Sequence, residues 1–136
     1  MRKEAYRWLS ESLWDLETAK ILHREKRFNA AVFYAHQAAE KAIKALLYST
    51  NQAAWGHSIR VLLTRYFETI NKEPLTKLIT CARELDRHYI PSRYPNAHPE
   101  DTPHDAYDEE TSLRAINCGK EIVKFVKERI HREDKQ

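Results

Sequence analysis

The sequence of 136 residues carries a formal net charge of only +3, so charge by itself does not indicate nucleic-acid binding. Hydrophobic residues make up 42% and charged residues 32%, with two glycines, which is typical of a single helix-rich domain. No run of 18 apolar residues is present, which excludes a membrane-spanning helix.

The N-terminal sequence and the cysteines favour a cytoplasmic protein. The first residues enter a helical pattern at once and lack the apolar segment of a signal peptide. Cys81 and Cys118 lie far apart and without CxxC spacing, so we expect reduced thiols in or beside the core. We therefore expect one domain over residues 1–136, located in the cytoplasm.

The first helix is predicted over residues 2–24. Its apolar residues recur at the spacing of a core-facing stripe, which consists of Tyr6, Leu9, Leu13 and Leu16. Trp8 and Trp14 fall outside this stripe. Two alternatives remain for them: they cover neighbouring helices within the subunit, or they belong to a subunit interface.

The second helix follows Asn29, a good N-cap residue, and is rich in alanine, the strongest helix former. Apolar residues cover most of its circumference, which predicts that it lies at the centre of the bundle. Its narrow polar face contains Gln37, Glu40, Lys41 and Lys44.

Three further helices are predicted from their apolar spacing. The third begins after Gly56-His57-Ser58 and buries Ile59, Leu62, Leu63, Tyr66, Phe67 and Ile70. The fourth opens with Pro74 and buries Leu75, Leu78, Ile79, Ala82, Leu85 and Tyr89. The last begins near the acidic residues 108–110 and buries Leu113, Ile116, Val123, Val126 and Ile130.

Two details of the last helix lead to structural predictions. Gly119 lowers the helix propensity, so we expect it to mark a close crossing with another helix. The charged tail from Glu128 onward is predicted to fray. Together the patterns predict an all-α protein, an antiparallel bundle of about five helices.

The stretch from Tyr89 to Asp108 contains four of the five prolines, which predicts an irregular loop over residues 90–108. A long loop in a compact domain is commonly functional. This one carries Arg93, whose planar cation suits phosphate, and His98, which can exchange a proton near neutral pH.

These side chains suit metal-independent RNA cleavage, in which His98 deprotonates the ribose 2′-hydroxyl and Arg93 stabilises the charged phosphorane. Tyr89, Tyr94 and Tyr107 can stack on bases. In a structural alternative, Arg93 pairs with a nearby acid or caps exposed carbonyls, and Tyr94 anchors the loop to the bundle.

A metal site in the loop is a third alternative, because five potential ligands lie close in sequence: His98, Glu100, Asp101, His104 and Asp105. None of the helical motifs that orient metal ligands is present in the sequence. We therefore predict no metal and no cofactor.

Two segments resemble the HEPN domain family. The first runs from Gln37 to Leu46 and reads Gln-Ala-Ala-Glu-Lys-Ala-Ile-Lys-Ala-Leu. The second runs from Tyr89 to Asn96 and contains an Arg-Tyr-Pro core. His57 also resembles a family feature between the second and third helices. The resemblance covers roughly residues 4–127.

The resemblance implies a four-helix up-and-down core and a homodimer. In many small prokaryotic members it implies a partner protein, a minimal nucleotidyltransferase, within a toxin–antitoxin module. It also implies metal-independent endoribonuclease activity from an arginine and a histidine separated by four to six positions, a spacing that Arg93 and His98 fit. An older proposal for the family is nucleotide binding.

We therefore predict Arg93 and His98 as candidate catalytic residues. The candidate nucleotide- or RNA-binding residues are Arg93, Tyr94, Lys41, Lys44 and Tyr89. The sequence departs from the nuclease pattern at Tyr94, where members favour a polar residue, and at Pro95 and Pro99, which exclude the usual helical setting. The alternative is a non-catalytic nucleotide-binding or protein-interaction partner of a nucleotidyltransferase.

Overall fold

The computed structural model describes residues 2–134, and within them it contains six α-helices and no strand. In chain order the helices are α1 (Arg2–Arg24), α2 (Phe28–Ser49), α3 (Ile59–Thr69), α4 (Thr76–Asp86), α5 (Pro103–Ala106) and α6 (Glu109–Asp134). The predicted all-α fold is confirmed, with five long helices and a single turn in α5. Each of the described helices is too short or too polar to cross a membrane.

Contacts between side chains show the directions of the helices. The ring of His23, near the end of α1, contacts the first turn of α6. On α4, Glu84 lies near Arg114, whereas Lys77 pairs with Glu121 further along α6. Helix α6 therefore runs antiparallel to both α1 and α4. A short turn makes α1 and α2 a second antiparallel pair.

Helix α2 lies at the centre of the bundle and contacts all five other helices. Six of its alanines are fully buried: Ala31, Ala35, Ala38, Ala39, Ala42 and Ala45. Their small side chains let neighbouring backbones come close, so that the Ser12 hydroxyl of α1 donates directly to the Ala38 carbonyl at 2.7 Å. The prediction of a central second helix agrees with this arrangement.

Gly119 marks the close crossing that its position in α6 predicts. A Cβ atom added there would lie 3.2 Å from the carbonyl oxygen of Ala35 on α2. Glycine is therefore required by the approach of two backbones rather than by an unusual backbone conformation.

The buried face of α1 differs from the predicted stripe. Leu9 and Leu16 are buried, but Tyr6 and Leu13 are exposed. Helix α1 instead buries its small residues, which are Ala5, Ser12 and Ala19. The spacing of large apolar residues could not reveal this, because tight packing on α2 favours the smallest side chains.

The two tryptophans of α1 have different positions. Trp8 packs on α2 within the subunit, with its ring centroid 5.6 Å from that of Tyr48. Trp14 has 71% of its surface exposed. The intramolecular alternative therefore holds for Trp8, and the interface alternative stays open for Trp14.

Two helix starts also differ from the prediction. Helix α2 begins at Phe28, and the Asn29 side chain, predicted as its N-cap, donates to the carbonyl of Ser92 at 3.1 Å. Helix α4 begins at Thr76 rather than at Pro74. Differences of one or two residues are usual at helix ends.

Two predicted core residues, Leu75 and Leu113, are exposed. Leu75 precedes α4 as its N-cap, and Leu113 lies on the outer face of α6. Helix α6 continues to Asp134, through most of the tail that we predicted to fray. Lys135 and Gln136 of that tail lie outside the described residues.

The prolines start short helical turns instead of excluding helix from residues 90–108. Pro95 opens a 3₁₀ turn over Pro95–Ala97, and Pro103 opens α5. Proline is tolerated at a first helical position because the N–H group there has no helical partner. The predicted irregular loop thus contains two ordered turns.

Asp86 joins three helices at one end of the bundle. Its carboxylate accepts from the backbone N–H groups of Ile59 at 2.8 Å and Arg60 at 3.0 Å, and from the Ser58 hydroxyl at 3.0 Å. The His36 ring of α2 contacts it at 3.3 Å. An acid from α4 therefore caps the N-terminus of α3 while it pairs with α2.

The pKa of Asp86 reflects these contacts. Burial raises it, but the hydrogen bonds from His36, from the two backbone N–H groups and from Ser58 outweigh burial. The pKa therefore lies below the ordinary value of 3.8.

We predict that Gly119→Val destabilises the protein by about 2 kcal/mol more than Lys120→Val, a control at an exposed position of the same helix. The reason is overpacking against the α2 backbone, which cannot move away as a flexible side chain would. Urea unfolding of both variants measures the difference. Equal stabilities would contradict the close crossing.

We predict that Asp86→Asn lowers stability at pH 7 by about 1–3 kcal/mol, because an amide accepts less strongly than a carboxylate and adds an unmatched donor. A depressed folded-state pKa stabilises the fold above the unfolded pKa, and this contribution disappears as pH falls through the folded pKa. The wild type should therefore lose more stability than Asp86→Asn below about pH 4. Chemical unfolding across pH, with exposed Asp101→Asn as control, checks this.

Candidate functional site

Arg93 lies on a helical turn that continues from the end of α4. The backbone N–H of Ser92 donates to the carbonyl of His88 at 3.1 Å, and that of Tyr94 donates to Ile90 at 3.2 Å. Both are i→i−4 bonds, as in an α-helix. The prediction that the prolines exclude a helical setting for Arg93 is thus corrected, because Pro95 follows this turn.

The Arg93 guanidinium is surrounded by three aromatic rings. Its Cζ atom lies 4.4 Å from the ring centroid of Phe33, 4.5 Å from that of Tyr89 and 4.9 Å from that of Tyr94. Its Nε–H donates to the carbonyl of Tyr89 at 2.9 Å. These contacts fix the side chain by cation–π attraction without neutralising its charge.

Among the described residues no carboxylate forms an ion pair with Arg93. The alternative in which Arg93 pairs with a nearby acid therefore finds no support, although its bond to a backbone carbonyl agrees with the capping alternative. At most two of its five N–H donors are used, one of them by a long contact of 3.5 Å to the Tyr94 hydroxyl. The arrangement can present a positioned, unpaired cation to an anionic ligand.

His98 bonds to the same short stretch of backbone. Its Nε2 lies 2.7 Å from the carbonyl oxygen of Pro91, and since a carbonyl only accepts, Nε2 carries the proton. Nδ1 is then the basic nitrogen of the neutral ring, and no described residue forms a hydrogen bond to it. The Tyr89 carbonyl that holds Arg93 is only two residues away, so both candidate catalytic side chains attach to one turn.

Tyr107 and His88 form a buried network beside His98. The Tyr107 hydroxyl donates to His88 Nδ1 at 2.7 Å, and His88 Nε2 donates to Glu84 at 3.0 Å. Burial raises the pKa of Tyr107 to about 12, with a further rise from the negative charge of Glu84. Burial also lowers the pKa of His88, although Glu84 opposes this. Tyr107, packed edge-on to His98, therefore stays neutral and supports the loop.

The two candidate lysines have carboxylate partners. Lys41 Nζ lies 2.5 Å from Asp15 of α1, beside an open cleft of about 780 Å³ that is lined mainly by α1. Lys44 Nζ lies 3.0 Å from Glu40 and is largely buried. The structure thus separates Lys41 from the Arg93 site. It buries Lys44, which we placed on a polar face, because α2 is enclosed on nearly all sides.

His57 connects Glu40 to the Arg93 site. Its ring stacks on Tyr89 with centroids 5.1 Å apart and planes inclined by 19°. Its Nδ1 lies 3.3 Å from both carboxylate oxygens of Glu40. The structure therefore brings Arg93, Tyr94 and Tyr89 together. Through His57 and Glu40 it also links them to Lys44.

The remaining polar residues of the loop do not converge. His104 and Asp105 are exposed and contact Thr102 and each other. Across residues 2–134, no three His, Cys, Asp or Glu side chains are placed to share a metal ion. Cys81 is buried and Cys118 half-buried, both as free thiols, and burial raises the pKa of Cys118.

Several residues that build this site were not predicted from the sequence. Phe33 and His36 on α2 support Arg93 and Tyr89 from a helix that looks like plain core in the sequence. Asp86 closes the same end of the bundle. The polar residues within the apolar run of α2 were the available signal, because a buried polar group needs a partner from elsewhere in the chain.

Comparison with known proteins agrees with this architecture. The family profile described as HEPN domain matches residues 5–130. A protein of Methanocaldococcus jannaschii named "Putative toxin MJ1304" is 26% identical over 121 residues, which cover 84% of this chain and 80% of that protein.

Solved structures give the same result. TT1696 from Thermus thermophilus is 35% identical with a TM-score of 0.87, covering 92% of this chain and 97% of that one. ST0689, an archaeal HEPN homologue, is 34% identical with a TM-score of 0.79, covering 93% and 98%. The HEPN domain protein TM0613 of Thermotoga maritima is 28% identical with a TM-score of 0.74, covering 93% and 98%. The chain therefore belongs to the HEPN domain family.

Proposed function

We propose that this HEPN protein is a cytoplasmic, metal-independent endoribonuclease of the toxin type. The observation that carries the proposal is the Arg93 guanidinium, which aromatic rings hold in place while no acid among the described residues neutralises it. The relative named "Putative toxin MJ1304" supports the toxin part of the proposal.

In the proposed reaction, His98 Nδ1 accepts the proton of a ribose 2′-hydroxyl. The 2′-oxygen then attacks the adjacent phosphorus, and the bond from phosphorus to the 5′-oxygen breaks. The products are a 2′,3′-cyclic phosphate and, once the leaving oxygen has taken up a proton, a 5′-hydroxyl. Arg93 stabilises the charge that develops on the phosphorane oxygens. Exposed Tyr94 offers an aromatic face to a base of single-stranded RNA.

The surface next to Arg93 supports the proposal of a homodimer. Ile90 and Tyr94 are both exposed and lie four residues apart, so they share one face of the turn that carries Arg93. Exposed apolar groups at a rim of this kind suit a subunit contact. The proposed dimer would place the sites of two subunits near each other.

A second candidate function is a non-catalytic partner of a minimal nucleotidyltransferase, binding nucleotide or protein. The observation that favours it is the exposure of Trp14 at 71% and Trp55 at 76%, since isolated tryptophans of this exposure are enriched in binding surfaces. The two candidate functions are compatible with each other, because a nuclease and a nucleotidyltransferase can belong to one toxin–antitoxin module.

We predict that the purified protein cuts single-stranded RNA in the presence of a chelator. Arg93→Ala should lower kcat/KM by about 10²–10³, the usual cost of losing one donor to a developing anion. His98→Ala should lower it by about 10²–10⁴, the usual contribution of general base catalysis. Product analysis by gel electrophoresis and detection of the cyclic phosphate measure both effects.

Matched controls are available at exposed positions outside the site. Arg83→Ala removes an exposed arginine of α4, and His104→Ala removes an exposed loop histidine. Both controls should keep wild-type activity. If Arg93→Ala and His98→Ala cut as fast as the controls, the activity does not arise from this site. A wild type without RNA cleavage that forms a stable complex with a nucleotidyltransferase would favour the second candidate.

A further inference from the structure

His57 is an exposed histidine that is held from behind by a buried acid. Its side chain is 60% exposed, and its Nδ1 lies 3.3 Å from each oxygen of Glu40. Because a carboxylate accepts, Nδ1 carries a proton. Nε2 forms no hydrogen bond with the described residues, so the free nitrogen of the ring is available to a ligand.

Glu40 is fixed in the interior of the bundle, with only 5% of its side chain exposed. Lys44 Nζ contacts one of its oxygens at 3.0 Å, and the fully buried His36 ring approaches the other at 3.9 Å. His36 is itself bonded to Asp86. The carboxylate that orients His57 therefore has several supports and cannot easily turn away.

His57 and Arg93 share the ring of Tyr89. The His57 ring centroid lies 5.1 Å from the Tyr89 centroid, and the Arg93 Cζ atom lies 4.5 Å from it. The distance from the His57 ring centroid to the Arg93 Cζ atom therefore cannot exceed the sum of these two distances. A proton-transfer group and a phosphate-binding cation each reach about 3 Å to a ligand atom, so this separation permits both to contact one phosphodiester that lies at the edge of the Tyr89 ring.

We propose that His57 is the general acid that protonates the leaving 5′-oxygen, with Glu40 as its positioning residue. This inference rests on the proposed ribonuclease function, and it names a group outside the Arg93–His98 spacing. The step balances: His98 takes the 2′-hydroxyl proton, the 2′-oxygen bonds to phosphorus, the bond to the 5′-oxygen breaks, and His57 Nε2 delivers a proton to that oxygen.

The role of acid follows from the surroundings of His57. An imidazolium has two N–H groups, one of which is directed at Glu40 and the other of which is free to donate to the 5′-oxygen. The carboxylate holds the ring in place while the proton is transferred. The stacked Tyr89 ring further restricts the imidazole to this orientation.

Other histidines lack one or more of these properties. His36 is fully buried, and His88 is enclosed between Glu84 and Tyr107. His104 is exposed, but the acid that it contacts is exposed as well. Among the described histidines, His57 combines three features. It has an exposed nitrogen and a buried acid behind its ring, and it contacts the ring of Tyr89, which Arg93 also contacts.

The test compares two substrates of the intact protein. One is an RNA dinucleotide, whose 5′-oxygen needs a proton to leave. The other is a nucleoside 3′-(4-nitrophenyl) phosphate, whose nitrophenolate leaves without protonation. We expect His57→Ala to lower kcat for the dinucleotide by about 10²–10⁴ and to change the nitrophenyl ester by less than about threefold. His98→Ala should slow both substrates.

Glu40→Gln tests the positioning role. It should lower kcat for the dinucleotide by about 10–100-fold, as is usual when the group behind a functional histidine is changed. It should leave the nitrophenyl ester nearly unchanged, whereas general damage to the fold would slow both substrates. His104→Ala is the matched control for His57→Ala, because both substitutions remove an exposed histidine.

The outcomes separate the two proposals. If the wild type cleaves neither substrate, the ribonuclease function fails and this inference fails with it. If the wild type cleaves both and His57→Ala leaves dinucleotide cleavage unchanged, only the role of His57 is overturned. A His57→Ala variant that slows both substrates equally also overturns it, because a general acid is required only for the poor leaving group.

Discussion

The enclosure of α2 by all the other helices is the constraint on which the rest of this structure depends. Alanine lets α1 and α6 approach this helix closely, but the approach also buries the polar residues of α2. His36, Glu40 and Lys44 cannot remain unpaired inside a bundle, since an unsatisfied buried charge costs several kcal/mol. Two partners that satisfy them come from other segments: Asp86 is the last residue of α4, and His57 lies in the loop just before α3. The packing of one helix therefore determines where the polar end of the molecule forms.

The contacts at this end of the bundle also determine that Arg93 forms no ion pair with the described acids. An arginine beside an acid would form an ion pair, and much of its capacity to bind phosphate would be lost. Glu40 and Asp86, two acids at this end of the bundle, are engaged by groups from α2 and α3. Arg93 is instead held by aromatic faces and a backbone carbonyl, which contribute about 0.5–2 kcal/mol per cation–π contact while keeping its charge. The Arg93 cation thus remains available beside a structural polar network.

Apolar periodicity was sufficient to predict the five long helices and the central place of α2, and the low helix propensity of Gly119 predicted its close crossing, because these depend on patterns within one segment. It was not sufficient for the buried face of α1, where small residues pack and the large residues Tyr6 and Leu13 face outward. The helical turn of Arg93 was missed because Pro95 restricts only the residues next to it. Glu40 and His57 are 17 positions apart, and nothing local to either residue indicates their contact. Contacts of this kind depend on tertiary packing, which a single sequence does not display.

The different supports of His57 and His98 suit an in-line displacement at phosphorus. Attacking and leaving oxygens lie on opposite sides of phosphorus in such a reaction, so one imidazole cannot reach both in a single step. His98 is held by the Pro91 carbonyl on the turn that carries Arg93, whereas His57 is held by Glu40 on α2. The bond to Pro91 leaves Nδ1 of His98 as the accepting nitrogen, and the contact with Glu40 leaves Nε2 of His57 as the exposed one. Because the two supports come from different elements, the rings can approach a phosphate at Arg93 from different directions. Two proton-transfer groups with separate supports suit the chemistry better than a single histidine whose position depends on one loop.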